Sequence, residues 1–142
     1  MTHVNPTDQE LRQLLIHAKT IAMVGASSKP DRPSHGVMQR MLSAGYRVIP
    51  VNPRETEVLR QRAYPSLEEI GEEIDVVDVF RRAEQTPPIA DEAVQAGAKV
   101  FWLQLGIASD EAADRALAGG LTVVMNACIA IVHRELQVPA KA

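Results

Sequence analysis

The chain of 142 residues predicts an alternating α/β fold built on a parallel sheet, and three observations support that expectation. Short apolar runs rich in Val, Ile and Leu recur at 21–24, 48–51, 74–80, 99–103 and 121–125. Runs of this kind are what strands covered on both faces look like. Segments with helical spacing of apolar residues separate most of them, which is the pattern of parallel strands joined by right-handed crossovers. Finally, the first run ends in Gly25-Ala26-Ser27-Ser28, a turn almost without side-chain bulk, and a helical pattern opens a few residues later.

Taken in order, Thr7 and Glu10 fit a capping box, and Leu11, Leu14, Leu15 and Ala18 form one stripe of a helix over about residues 7–18. The first strand follows. Val37, Met38, Met41 and Leu42 mark a helix from about Ser34 to Ala44, stopped at Gly45. The second strand ends in Pro50-Val51-Asn52-Pro53. Pro50 cannot donate to a ladder, so it belongs near the strand's end or beside an unpaired position. The polar, basic stretch 54–63 reads as an irregular connection. Ser66-Leu67-Glu68-Glu69 reads as a second capping box opening a short helix to about Ile70. The third strand ends in Phe80-Arg81-Arg82. Thr86-Pro87-Pro88 reads as a helix N-cap with Pro in the first turn. Ile89, Ala90, Ala93 and Val94 form that helix's inner face. A fourth strand, a helix from Ser109-Asp110 to Ala118, a Gly119-Gly120 break, a fifth strand and a last helix over about residues 129–136 complete the chain. The whole is expected to be one domain, residues 1–142: a Rossmann-like, doubly wound, five-stranded parallel sheet in three α/β/α layers. Its strand order reverses beside the first strand, and residues 1–19 pack on the body as an N-terminal helix.

Composition narrows the class. The chain is 46% hydrophobic and 23% charged with a formal net charge of −3, which argues against nucleic acid as the main partner. The charge is uneven. Residues 29–62 hold Lys29, Arg32, Arg40, Arg47, Arg54, Arg60 and Arg62 against Asp31, Glu55 and Glu57, so that window is +4 and the remainder −7. A basic window around a small-residue turn points to a small anionic ligand. Cys128 is the only cysteine, so an intrachain disulfide is excluded and a reducing compartment fits. The start Met1-Thr2-His3-Val4-Asn5-Pro6 lacks a signal-peptide pattern, and no apolar run approaches the ~20 residues of a membrane span. A cytoplasmic location is the simplest expectation, with no membrane partner.

In open α/β sheets, ligands bind beyond the carboxyl ends of the strands, where strand order reverses. This chain places Gly25, Ala26, Ser27, Ser28, Lys29 and Arg32 after the first strand and Val51, Asn52, Pro53 and Arg54 after the second. Phe80, Arg81 and Arg82 follow the third, Gln104, Leu105 and Gly106 the fourth, and Asn126, Ala127 and Cys128 the fifth. The free amides and positive dipole end of the first crossover helix favour a phosphate at the turn. The turn is neither G-x-G-x-x-G nor a P-loop. An NAD site usually ends the second strand in an acid, whereas here Arg54 stands beside Asn52-Pro53 and suits an extra ribose phosphate, as in NADP or coenzyme A.

Val24-Gly25-Ala26-Ser27, Pro50-Val51-Asn52-Pro53, Ala63-Tyr64-Pro65-Ser66-Leu67, Val79-Phe80-Arg81 and Trp102-Leu103-Gln104-Leu105-Gly106-Ile107 occur in this order over roughly residues 15–136. Together they resemble the small stand-alone CoA-binding domain proteins, which are similar in turn to the CoA-binding domain of the succinyl-CoA synthetase α subunit. The resemblance implies a site for coenzyme A. Gly25, Ala26, Ser27, Ser28, Lys29 and Arg32 would hold its phosphates, and Val51, Asn52, Pro53 and Arg54 would border the adenosine. Phe80 and Arg81 would flank its middle, with Gln104 and Gly106 along the pantetheine path. The chain departs from the family twice: Asn126-Ala127 stand where Asp-Arg is frequent, and Arg60 where Gly is common.

No nucleophile–base–acid set, metal cluster or rim carboxylate pair is legible, so no catalytic residue and no metal ligand is assigned. The expected function is a non-catalytic module holding CoA or an acyl-CoA. The alternatives are a small enzyme or thiol-exchange protein acting on CoA thioesters through Cys128 and, last, an NADP-type oxidoreductase. The sequence names no protein partner.

Overall fold

A computed structural model describes residues 3–141. Met1, Thr2 and Ala142, which the expected 1–142 unit includes, lie outside the described residues. The sheet strands are β1 (Thr20–Val24), β2 (Arg47–Val51), β5 (Val76–Val79), β6 (Val100–Leu103) and β7 (Thr122–Val124). All their pairings are parallel, in the order β2-β1-β5-β6-β7. The order reverses beside β1, as a Rossmann-like doubly wound sheet requires. Each strand is nearly all buried because helices cover both faces.

The helices are α1 (Asp8–His17), α2 (Pro33–Ser43), α3 (Thr86–Gln95), α4 (Asp110–Ala118) and α5 (Ile129–Glu135). One apolar layer joins Ala22, Ile49, Val77 and Phe101 to α3 and α4 through Ile89, Ala90, Ala93, Ala112, Ala113 and Ala116. The opposite layer joins Ile21, Met23, Val48 and Trp102 to α1, α2 and α5 through Leu11, Leu15, Met38, Met41 and Ile129. Small alanines on α3 and α4 let those two helices pack closely.

Capping fixes the helix starts. Thr7 caps α1: its Oγ1 accepts from Glu10 N–H at 3.2 Å, and Glu10 Oε1 accepts from Thr7 N–H at 2.9 Å. These bonds hold the Glu10 carboxyl below its ordinary pKa. Ser109 caps α4 through Ala112 N–H at 3.1 Å. Pro33 opens α2 with its pre-set φ, one residue earlier than the apolar stripe indicates.

Three local expectations are corrected. The connection after β2 is not irregular throughout. It carries the antiparallel pair β3 (Glu57–Val58) and β4 (Gln61–Arg62), joined by Leu59-Arg60. Ser66 makes no side-chain cap, and the segment it precedes is a 3₁₀ turn, Leu67–Glu69. Gln85, not Thr86, is the N-cap of α3: Thr86 Oγ1 donates to Ala83 O at 2.7 Å, so its hydroxyl looks backwards to a preceding 3₁₀ turn. Pro50 lies inside β2 opposite Met23. It is tolerated because β2 is an edge strand.

Candidate functional site

The carboxyl ends of β1, β2, β5 and β6 open into a cleft of about 1180 Å³, large enough for an extended ligand of cofactor size. Its floor is the β1–α2 turn. Gly25 sits there at φ +91°, and a Cβ at that position would lie 2.5 Å from the Phe80 carbonyl oxygen. The glycine is therefore required by the fold itself, which brings the ends of β1 and β5 together, and not only by access for a ligand. Gly25 N–H donates to Val51 O at 2.8 Å and Phe80 N–H to Val24 O at 2.8 Å, so three strand ends are joined at one point.

Asn52 fastens the next loop to this turn. Its Nδ2 donates to Ala26 O at 2.9 Å, while its Oδ1 accepts from Arg54 N–H at 2.9 Å. Glu55 N–H donates to Asn52 O at 3.2 Å. The side chain of Asn52 is thus committed to holding two loops in register. Glu55 reaches back across the turn and accepts from Ser28 N–H at 2.6 Å and Ser28 Oγ at 2.9 Å. Lys29 N–H donates to Ser27 Oγ at 3.1 Å. Arg32 is the N-cap of α2 but supplies no side-chain cap; Pro33 at the first helical position has no N–H, and His35 N–H donates to Arg32 O at 3.0 Å.

Five cations line the cleft, Lys29, Arg32, Arg54, Arg81 and Arg82, against one acid, Glu55. The far wall carries Gln104 and Cys128. Gln104 is 4% exposed, and its Oε1 accepts from Ile129 N–H at 3.1 Å, so one end of the amide caps α5. Cys128 is the half-buried N-cap residue of α5 and a free thiol. Leu105, next to Gln104 in the chain, is 64% exposed and gives the rim an apolar edge. Trp102 is fully buried, with Nε1 donating to Ala127 O at 2.8 Å.

The cleft brings together Gly25, Ser27, Ser28, Lys29, Arg32, Asn52, Pro53, Arg54, Phe80, Arg81 and Gln104 from the sequence-derived set. It does not bring in three others. Ala26 is wholly buried in the layer beneath. Val51 lines a smaller cavity of about 170 Å³ with Pro53, Leu67, Ile89 and Glu92, and Arg81 forms a wall of both spaces. Gly106 is turned away: its N–H donates at 2.8 Å to Oδ1 of Asn126, which adopts φ +57°. Asn126 thus makes a structural contact that an aspartate there would also make.

Two residues escaped the sequence reading. Glu55 is legible in the sequence only as a charge, and nothing there places it on Ser28, 27 residues away. Asp78 lies between Met23 and Trp102 in the middle of the sheet, fully buried, with neither carboxylate oxygen hydrogen-bonded among the described residues. Burial pushes its carboxyl well above the ordinary range. The available signal was an acid inside Val76-Val77-Asp78-Val79, a run otherwise apolar on both faces.

Comparison with known proteins decides the family. The family model described as "CoA binding domain" matches residues 19–134, which include every residue lining the cleft. The chain belongs to the CoA binding domain family. It is 46% identical over 129 residues to the uncharacterized protein YneT of Bacillus subtilis, covering 91% of this chain and 96% of that one. The structure of a hypothetical protein from Pyrococcus horikoshii superposes with a TM-score of 0.90 at 40% identity, covering 96% of this chain and 99% of that one. The CoA-binding-domain chain is also 30% identical over 94 residues to the α subunit of an ADP-forming acetate–CoA ligase of Pyrococcus furiosus. That match takes in 62% of this chain but only 20% of the ligase subunit. Among the described residues, no helix is long and apolar enough to cross a membrane.

Proposed function

We propose that this protein binds coenzyme A or an acyl-CoA in the cleft above the β1–α2 turn, as a binding protein that performs no covalent chemistry. The observation that carries the reading is the charge of the cleft. Lys29, Arg32, Arg54 and Arg81 line it, and none of them has a carboxylate within salt-bridge distance among the described residues. Four unneutralised cations beside a small-residue turn and an uncapped helix start suit a ligand with several phosphates. Membership of the CoA binding domain family supports coenzyme A among such ligands. In this reading the diphosphate lies against Ser27, Ser28, Lys29 and Arg32, with Asn52 holding the turn's shape. The adenosine runs over Pro53, Arg54 meets the 3′-phosphate, and the pantetheine passes Phe80 and Arg81 towards Gln104.

Isothermal titration with CoA, dephospho-CoA, NADP and NAD tests this. CoA binds tightest, and dephospho-CoA binds more weakly because Arg54 loses its partner. Replacing Lys29 or Arg32 with Ala costs about 1–3 kcal/mol of CoA affinity, the range for a charged hydrogen bond, and less where solvent screens the contact. Equal affinity for CoA and NAD, or CoA binding indifferent to both substitutions, rejects the reading.

Cys128 favours one second reading, because its thiol lines the same cleft. Its thiolate could attack the disulfide form of CoA, releasing one CoA thiol and leaving a mixed disulfide on the protein. Cys128→Ser separates the two: CoA affinity is kept under binding alone, and a thiol release present only in the parent protein supports exchange.

A further inference from the structure

Glu55 is the only acid among the residues lining a cleft with five cations, yet it pairs with none of them. Its two carboxylate oxygens go instead to one residue of the turn. Oε2 accepts the Ser28 backbone N–H at 2.6 Å and Oε1 accepts the Ser28 hydroxyl at 2.9 Å. A backbone amide and a hydroxyl converging on two oxygens of one anion are the donor arrangement that phosphate groups also use. The loop is held for this contact. Asn52 accepts Arg54 N–H on Oδ1 and Glu55 N–H on its carbonyl, while its Nδ2 ties the loop to Ala26. The half-buried carboxylate is therefore aimed, whereas the free cations around it are open to solvent or to a ligand.

We propose that Glu55 is an internal competitor for the anion position at Ser28, and that it sets the affinity of the site. A ligand phosphate oxygen reaching Ser28 takes the two donors that Glu55 holds, so binding exchanges one anion for another. Part of the interaction with the turn is then offset by the bonds that Glu55 gives up, and the displaced carboxylate remains near Lys29, Arg32 and Arg54. Ligands with two or more phosphates recover this cost through the other cations. A monoanion reaching only Ser28 gains little. The identity of the ligand as CoA rests on the preceding section, whereas the competition itself concerns any phosphate on this turn.

The test compares the parent protein with Glu55→Gln, which keeps the side-chain length and removes the charge, using two probes, CoA and inorganic pyrophosphate. Glu57→Gln, the same change of charge two residues on, is the control, and thermal melting establishes that each variant is folded. Both probes are expected to bind Glu55→Gln more tightly, by roughly 3- to 30-fold for an exposed charge-assisted contact, with Glu57→Gln within about twofold of the parent. In ¹⁵N spectra, pyrophosphate shifts the Ser28 amide at lower concentration in Glu55→Gln. Pyrophosphate tightened with CoA binding to neither protein keeps the competition and rejects coenzyme A as the ligand. Overturning results are pyrophosphate affinity unchanged or weakened in Glu55→Gln, the same gain in Glu57→Gln, or no pyrophosphate binding to either protein. If Glu55→Gln fails to fold, Glu55→Asp serves: its shorter arm loses the two-point contact at constant charge, and pyrophosphate binding must still tighten.

Discussion

Gly25 illustrates how one position serves both chain geometry and the cleft. Its φ of +91° is in the left-handed region, and a Cβ there would meet the Phe80 carbonyl oxygen at 2.5 Å. An alanine pays the left-handed penalty, about 1–2 kcal/mol, and must also push β5 away from β1. Gly25→Ala is therefore expected to lower stability by more than about 2 kcal/mol, read as a fall in the urea midpoint. Gly36→Ala is the contrast. Nothing lies within 4 Å of a Cβ there, and the position is helical, so the change is expected to stabilise by about 0.5–1 kcal/mol. An unchanged midpoint in Gly25→Ala rejects the argument. The sequence marks Gly25 as part of a small-residue turn that suits a phosphate, but carries no reason of its own for the glycine. The neighbour that actually demands it comes from a strand more than fifty residues away. Glu55, and the structural role of Asn52, were illegible for the same reason: their partners, Ser28 and Ala26, belong to another loop. Lys29, Arg32 and Arg54 were legible because exposed cations next to strand ends need no tertiary partner to be recognised.

Elements buried on both faces were readable because their periodicity and length follow from burial alone, and all five sheet strands and all five α-helices stand close to where the apolar pattern puts them. The β3–β4 hairpin was not readable, since two-residue strands of Glu57-Val58 and Gln61-Arg62 contain no period. The 3₁₀ turn at Leu67–Glu69 was misread because Ser-x-x-Glu is also common without a following helix. The hairpin's loop, Leu59-Arg60, has φ of +48° and +65°, the two-positive pattern of a type I′ turn. That turn prefers Gly or Asn, and this chain uses two side-chain-bearing residues. Arg60→Gly relieves a left-handed cost of about 1–2 kcal/mol while adding unfolded-state entropy, so a net gain of about 0.5–1 kcal/mol is expected. The gain is measured as a rise in melting temperature. A loss of stability instead means that the guanidinium makes a contact worth more than the strain.

Two ionisable groups in the layer under α1, α2 and α5, Asp78 fully buried and His133 half-buried, make stability depend on pH with opposite signs. His133, packed edge-on to Tyr46 with centroids 5.7 Å apart, has its Nε2 buried with no partner among the described residues. Burial and then the charge of Lys141 lower its pKa below 6.5. The unfolded chain therefore takes up a proton that the folded chain resists, and stability falls as pH drops below about 6.5. Asp78 works the other way. Its folded pKa lies well above 3.8 because both oxygens are buried and unpaired. Between 3.8 and that raised value the unfolded chain is ionised while the folded chain stays protonated. The contribution of Asp78 is thus fully present below 3.8 and is lost with rising pH, by up to about 1.4 kcal/mol per pH unit. Asp78→Asn removes the ionisation and keeps the shape. It is expected to change stability little at pH 4, to raise it at pH 8, and to leave the acid-side loss from His133 in place. Chemical denaturation of both proteins across pH 4–9 reads these slopes. Parallel curves over the whole range would mean that Asp78 is ionised in the fold, which requires a cation or donors around it that the packing of Met23 and Trp102 on either side does not provide.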